Sequence, residues 1–348
     1  MRAPRPLIVF GCGPIGLLAA IRGRQLGLDV EIHASERPPS HHAPRVECVP
    51  SQTIALLVEF GVHPRLLGVD RLFSERSMQW SGFAASTSPT PAVAHVGRPA
   101  LDAALLQVAL RAGANLHALG DDRLDEFRRR QQQGNCLVLD ATGRSAITAA
   151  RRIAPKRPIV ARLFHLAMHP SLRSTGLMIA AGPDGYAYRL ANAATLTIGI
   201  VGRNDFVRGD GDEIVARIAD FAPWLVGGIA GDDLQPGASG PASAQFSLGD
   251  DATIAIGDAA FARDALASQG LAIGFSDALK AVAQPEQRYR HRIERQKAIA
   301  QHAARVAEQI ESSAFRSSKP WIEYAQFLSE TARPATLSRF APAQPASS

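Results

Sequence analysis

The feature that most restricts this chain lies at its start. Leu7–Phe10 is a short apolar run, and Gly11-Cys-Gly-Pro-Ile-Gly16 follows it at once. Leu17 to Leu26 then reads as a helix closed by Gly27, and Asp29–His33 as a second strand. Strand, glycine turn, helix and strand make a βαβ unit, which implies a parallel sheet with a right-handed crossover. The three glycines act separately. Gly11 permits the tight turn, Gly13 lets the backbone approach a pyrophosphate, and Gly16 lets the helix pack on the strand. Pro14 and Ile15 complete the turn, and the helix that follows offers unpaired N–H groups to the phosphates. A dinucleotide site is therefore expected here. One position departs from the pattern. The acidic residue that would grip the adenosine ribose is replaced by Ala34, with Glu36 two residues further on as the substitute.

The same N-terminus, Met1-Arg-Ala-Pro-Arg-Pro followed by apolar residues, imitates a secretion signal. Glycines 11, 13 and 16 interrupt the apolar run, and Arg22 and Arg24 follow with no small-x-small cleavage pattern. No stretch is long and apolar enough to span a bilayer. Cys12, Cys48 and Cys136 form no CxxC pair or disulfide framework, so a reducing cytoplasm is the expected compartment. With 46% hydrophobic residues among 348, the chain can bury a large core. The net charge of +6 is spread over scattered arginines, which argues against a nucleic-acid-binding stripe. His41-His42 with Glu47 lack a second ligand pair, so no metal site is expected.

Further along, Ser51–Phe60 reads as an amphipathic helix with Ser51 as its N-cap, and Leu101–Arg111 as another. Between about Pro158 and Leu248 short strand-like runs are separated by Gly, Pro, Asp and Asn: Val160–Ala167, Leu177–Ala181, Tyr186–Leu190 and Thr195–Val201. That spacing predicts an antiparallel sheet, interrupted by a helix at Gly211–Phe221. Gln287 to about Ser312 reads as a long polar helix, and the Pro/Ala/Ser-rich tail after Arg333 as disordered.

Two later segments echo the first. Leu137–Leu139 runs into Asp140-Ala-Thr-Gly-Arg144, and Ile254-Ala-Ile runs into Gly257-Asp258 and then Ser268-Gln-Gly-Leu271. A carboxylate delivered at a strand's C-terminal end can accept hydrogen bonds from sugar hydroxyls, and Gly257 allows close approach. In order, the three segments resemble the FAD signatures of the flavoprotein monooxygenase and flavin-dependent halogenase superfamily. The resemblance covers most of the chain. Arg45-Val-Glu-Cys-Val-Pro50 is similar to the segment before the flavin-shielding helix, and Arg98 to an FAD-contacting arginine of the family. Gly185-Tyr-Ala-Tyr188 resembles a Gly-Trp-Trp-Tyr strand of the halogenase-like branch. That branch includes flavoproteins that hydroxylate a peptidyl tryptophan during maturation of quinone-cofactor amine oxidases, and the likeness is nearest to these.

The resemblance implies an α/β fold. Its parts would be a Rossmann-like FAD-binding domain from residues 1–75, 95–157 and 249–285, an inserted antiparallel substrate sheet from 76–94 and 158–248, and a C-terminal helical segment, 286–332. Gly11, Gly13 and Gly16 would hold the pyrophosphate and Asp258 the ribityl chain. Asp140 and Gly143 would complete the cradle, and Ser268, Gln269, Gly270 and Leu271 would meet the flavin ring edge. Tyr186 and Tyr188 share a strand face and either line the substrate cavity or form core. The implied activity is hydroxylation of an aromatic small molecule, peptide or protein through a flavin C4a-hydroperoxide. Electrons would come from NAD(P)H directly or through a partner reductase. The halogenase Trp-x-Trp-x-Ile-Pro signature is missing, since Trp224 is isolated, and none of Lys156, Lys280, Lys297 and Lys319 lies in the early region that carries the halogenase lysine. Both departures argue against halogenation. Ala265 stands where the family commonly has proline. Alternatives are a flavin-dependent reductase or dehydrogenase on a hydrophobic substrate and, given Ala34 and Ala265, a non-catalytic flavin-binding protein.

Overall fold

The computed structural model describes residues 5–35, 44–82, 84–120, 123–169, 172, 176–249, 253–267 and 270–332. Glu36, His41, His42, Asp121, Asp122, Ser268, Gln269 and the tail at 333–348 lie outside the described residues. In chain order the elements begin with β1 (Leu7–Phe10), α1 (Pro14–Gln25), β2 (Val30–Ala34), β3 (Val46–Pro50), α2 (Ser51–Glu59), β4 (Leu72–Gln79) and β5 (Ser86–Gly97). Then come α3 (Arg98–Arg111), β6 (Asn115–Ala118), α4 (Arg123–Gln132), β7 (Leu137–Asp140) and β8 (Ala149–Ile153). The central run is β9 (Val160–Ala167), β10 (Leu177–Gly182), β11 (Gly185–Ala191) and β12 (Thr195–Gly202), followed by α5 (Asn204–Val207), α6 (Gly211–Ala219) and α7 (Pro223–Val226). The last elements are β13 (Gln235–Pro241), β14 (Gln245–Gly249), β15 (Ile254–Ala255), α8 (Asp258–Phe261), α9 (Gly270–Ala283), α10 (Arg288–Glu311) and α11 (Lys319–Ala332).

Five strands form a wholly parallel sheet in the order β15-β7-β1-β2-β6. All four residues of β1 are completely buried, which is why this strand reads as an unbroken apolar run and not as an alternation. Helix α1 packs between α3 and α9 on one face, while Phe127 of α4 joins Phe10 and Val138 on the other. The chain leaves β1 toward β2 and β6, and later returns to the other side of β1 with β7 and β15. The switch point therefore falls between β1 and β7, where open α/β sheets hold their ligands. Helix α1 starts at Pro14, earlier than its apolar periodicity predicts, because proline's fixed φ suits a first helical turn. Pro50, not Ser51, is the N-cap of α2, and no side chain caps that helix.

The larger sheet has eight strands in the order β13-β9-β12-β11-β10-β4-β5-β3. The strands between residues 158 and 248 pair antiparallel as expected, in the run β13-β9-β12-β11-β10, and the sheet as a whole is mixed because β10 also pairs with β4 in parallel, Leu177 opposite Arg76. The long connection between these two strands allows the parallel pairing, whereas the hairpin-linked neighbours are antiparallel. β3 and the ends of β4 and β5 belong to this sheet by hydrogen bonding, although the sequence division places residues 46–50 with the cofactor half. Helices α10 and α11 cover the sheet. Their Ile299, Val306, Ile310, Trp321 and Leu328 are buried against Trp80, Tyr186, Phe246 and Phe261. Among the described residues no helix is long and apolar enough to cross a membrane.

Candidate functional site

A cavity of about 580 Å³ opens at the C-terminal ends of the parallel strands. Its wall draws on all three signature segments: Gly11, Gly13, Pro14 and Ile15 after β1, Thr142 and Gly143 after β7, and Asp258, Gly270 and Leu271 from the late segment. Arg45 and Arg98 close one side, and Ala34 and Ser35 also contribute to the lining.

The glycines are required for different reasons. Gly11 has φ +99°, and a Cβ there would sit 2.5 Å from the Ala141 carbonyl oxygen, so only glycine lets the two loops meet. A Cβ on Gly16 would lie 2.2 Å from the Gly11 carbonyl oxygen; Gly16 is a packing residue beneath the cavity. Gly13 is the open one, because a Cβ there would meet only Arg98 Nη2, at 3.9 Å, within a 4 Å radius. It is also the N-cap of α1, and no side chain caps the helix there. The first N–H groups of α1 are thus left for an anionic group in front of them.

Asp140 has a supporting position. It is fully buried, and its carboxylate accepts from Thr142 N at 2.9 Å, Thr142 Oγ1 at 2.6 Å, Thr148 N at 2.9 Å and Thr148 Oγ1 at 2.8 Å. Those bonds shape the loop that presents Thr142 and Gly143 to the cavity. Arg144 then ties this loop to the late segment, donating to Ser243 O at 2.7 Å and Arg263 O at 3.0 Å. Gly257, at φ +56°, packs against Ile15 and stands behind the wall. Burial pushes the Asp258 carboxyl up, and the nearby Arg144 and Arg263 guanidiniums oppose that shift.

The sequence points to Arg45 and Arg98 but not to the acids that hold them. Arg98 Nε lies 2.9 and 3.0 Å from the two oxygens of Asp102, and its Nη1 lies 2.7 Å from Glu47. Arg45 Nε lies 3.1 Å from the same Glu47. Burial pushes the Glu47 carboxyl up, but the two guanidiniums outweigh it and hold the acid below the usual carboxylate range. For Arg98 burial works against the charge, yet Glu47 and Asp102 more than compensate and raise it. The signal was present as spacing: Arg98 and Asp102 are i,i+4 on α3, and Arg45 and Glu47 share a strand face. Burial pushes the Cys48 thiol up to about 12 and also raises Cys12, so neither is a thiolate at neutral pH.

Tyr186 is buried, stacked on Trp321 at 6.3 Å and edge-on to Trp80 at 6.1 Å, and its hydroxyl has no hydrogen-bond partner among the described residues. Tyr188 lies over Gly199 of the neighbouring strand, where a Cβ would come within 2.2 Å of its ring. Burial raises Tyr188 to about 12, with the charges of Glu47 and Arg45 as the next influences, so this ring borders the cofactor-side cluster.

No protein-family model matches the chain, and a search of curated proteins finds no match. Solved structures do match. The peptidyl tryptophan dihydroxylase QhpG, described as essential for tryptophylquinone cofactor biogenesis, aligns with TM-score 0.70 and 20% identity over 93% of this chain and 79% of that one. The myxobacterial chondrochloren halogenase CndH aligns with TM-score 0.74 and 15% identity over 92% and 85%. A tryptophan halogenase from Shewanella frigidimarina aligns with TM-score 0.70 and 12% identity over 97% and 82%. With its parallel sheet, its mixed sheet and its C-terminal helices, the chain shares the fold of these three solved structures.

Proposed function

We propose that this chain binds FAD in the cleft between β1 and β7 and uses it to hydroxylate an aromatic group on a small molecule, peptide or protein. The observation that carries the reading is convergence. Three segments far apart in sequence meet around one cavity, at the switch point of a parallel sheet, beneath an uncapped helix N-terminus. The residues present fit the cofactor. Gly13 leaves room for a diphosphate, and the N–H groups of α1 face it. Arg98, held by Glu47 and Asp102, lies against the same opening. Asp258 is set to accept from the hydroxyls of the ribityl chain, and Gly270 and Leu271 present backbone to the ring edge.

Bound FAD supplies the oxygen-activating chemistry, with electrons from NAD(P)H delivered directly or through a partner reductase. The chain's own part is to orient the substrate and exclude water. Trp80, Tyr186 and Trp321 form a packed aromatic core between the large sheet and the C-terminal helices, with Tyr188 against it, and that core closes the far side of the sheet to water. One protein of this fold is described as acting on a peptidyl tryptophan, which supports an indole or comparable ring as the substrate group. Oxygen insertion is favoured over halogenation because all four lysines, Lys156, Lys280, Lys297 and Lys319, are exposed and none lines the cavity.

The test is stoichiometric FAD uptake by the purified chain, followed by oxygen consumption and product mass with tryptophan-containing peptides and small indoles, with NAD(P)H supplied alone and then with a flavin reductase. Substrate-dependent oxygen uptake with a product heavier by oxygen supports the reading. A chain that takes up no FAD overturns it. Oxidation without oxygen insertion moves the assignment to a dehydrogenase.

A further inference from the structure

Asp264 lies midway in the sequence between Asp258 and Gly270, two residues of the cavity wall, and anchors the described stretch up to residue 267. Asp264 is 5% exposed, and its hydrogen-bond partners lie away from the cavity. Its carboxylate accepts the Tyr324 hydroxyl at 2.5 Å and Leu266 N at 2.7 Å, and its own N–H donates to His302 Nε2 at 3.2 Å. Tyr324, itself buried, also accepts from Ala244 N at 2.9 Å. One phenol on α11 thereby joins the cofactor-side segment to the approach to β14. The same helix is fixed to the large sheet by Trp321, which donates to Gly182 O at 3.4 Å, and by Glu323, which pairs with Arg203.

This arrangement meets a need visible in the sequence. Ala265 follows Asp264 where a proline would lock φ, so here hydrogen bonds do the holding: the Ala265 N–H donates to Ala242 O at 3.2 Å beside the Asp264 contacts. We infer that Tyr324 is a positioning residue for the flavin site: through Asp264 it holds the segment that presents Gly270 and Leu271 to the cofactor. The inference rests on the flavin reading above. It makes the C-terminal helix part of the cofactor site without touching the cofactor.

The charged and titratable groups facing Asp264 among the described residues are Tyr324 on α11, His302 on α10, Tyr186 on β11 and Arg144 after β7. Burial pushes Asp264 up to about 6, with the Tyr324 and Leu266 hydrogen bonds and Arg144 pulling the other way. Burial lowers His302 to about 4, so it stays neutral and keeps accepting from the Asp264 amide. Above pH 6 the ionised carboxylate accepts the phenol. As pH falls through that region the acid takes a proton, one acceptor is lost, and the restraint on the loop weakens. Removing the phenol removes a contact that favours the ionised form, so the transition in Tyr324→Phe moves to higher pH.

The experiment is FAD titration of wild type, Tyr324→Phe and Asp264→Asn between pH 5 and 8, reading flavin fluorescence quenching and the visible band. Thermal melting of each apoprotein serves as the folding control. In the wild type, FAD affinity falls as pH drops through about 6. Tyr324→Phe binds FAD about tenfold more weakly at neutral pH, as loss of a hydrogen bond to a charged group allows, and its transition lies at higher pH. Asp264→Asn, nearly the same shape but without a titrating group, shows no such transition; it keeps the inference open to refutation if Tyr324→Phe does not fold. Affinity, band shape and pH profile unchanged in Tyr324→Phe, or a transition persisting in Asp264→Asn, overturns the inference while leaving the flavin reading intact. A wild-type chain that takes up no FAD overturns the flavin reading, and this inference with it.

Discussion

Replacing Arg98 with alanine withdraws one cation from two acidic groups at once. Asp102 is completely buried and loses the guanidinium that lies 2.9 and 3.0 Å from its oxygens. Glu47 loses its 2.7 Å contact but keeps Arg45 at 3.1 Å, and 26% of its side chain is exposed, so its share of the loss is smaller. Breaking a buried pair by removing one partner costs about 3–5 kcal/mol, because the remaining charge stays desolvated. The expectation is a destabilisation of about 3 kcal/mol at pH 7, measured by urea denaturation. The pH dependence has a definite sign. In the wild type Glu47 sits below its ordinary value of 4.5, so its contribution is present at neutral pH and fades as pH falls through its lowered folded-state value. Without Arg98, burial dominates and the acid moves upward, each unit being worth about 1.4 kcal/mol. Protonation then relieves the variant as pH falls, and the gap to wild type narrows between pH 7 and pH 4. Arg98→Met, which restores apolar bulk without charge, separates lost packing from lost pairing. A loss below about 1 kcal/mol, the size of an exposed pair, or a gap that holds constant down to pH 4, refutes the reasoning.

The glycine loop yields a paired test. Gly16→Ala drives a Cβ to 2.2 Å from the Gly11 carbonyl oxygen and is expected to cost about 1–3 kcal/mol in unfolding. Gly13→Ala meets only Arg98 Nη2 at 3.9 Å, so stability holds while FAD affinity falls; equal melting losses in both would contradict the geometry. Cys48, with its thiol pushed up to about 12 by burial, reacts with iodoacetamide at pH 8 far more slowly than an exposed cysteine, as mass spectrometry of the native chain would record. Tyr186→Phe removes a buried hydroxyl that has no partner among the described residues and is expected to leave stability unchanged or raise it by up to about 1 kcal/mol. A lower turnover with an aromatic substrate in that variant would mark the hydroxyl as a substrate contact; a marked loss of stability would show that it has a partner after all.

The legible parts of this protein are those whose causes are local. Gly11 must be glycine because a turn with positive φ follows β1, and that requirement is written in six adjacent residues. The unbroken apolar run at Leu7–Phe10 announces a strand buried on both faces, and the short runs divided by Gly, Pro, Asp and Asn between residues 158 and 248 announce a sheet. Asp140 reads as a cofactor contact from its place in a motif; only the fold reveals that Thr142 and Thr148 take up its carboxylate. Pairing across distance is not legible. Nothing near Leu177 or Arg76 specifies that β10 and β4 run parallel, because the long connection between them leaves both directions open. Likewise Glu47, Asp102, Asp264 and Tyr324 are ordinary polar residues in the sequence, and they matter through partners that only packing supplies. By itself the sequence determined the glycine loop, the α/β class and the order of the three signature segments, since backbone sterics and hydrophobic period act over a few residues. The tertiary structure decided which acids restrain Arg98 and which helix reaches Asp264, since burial and charge pairing depend on neighbours that the chain brings together only by folding.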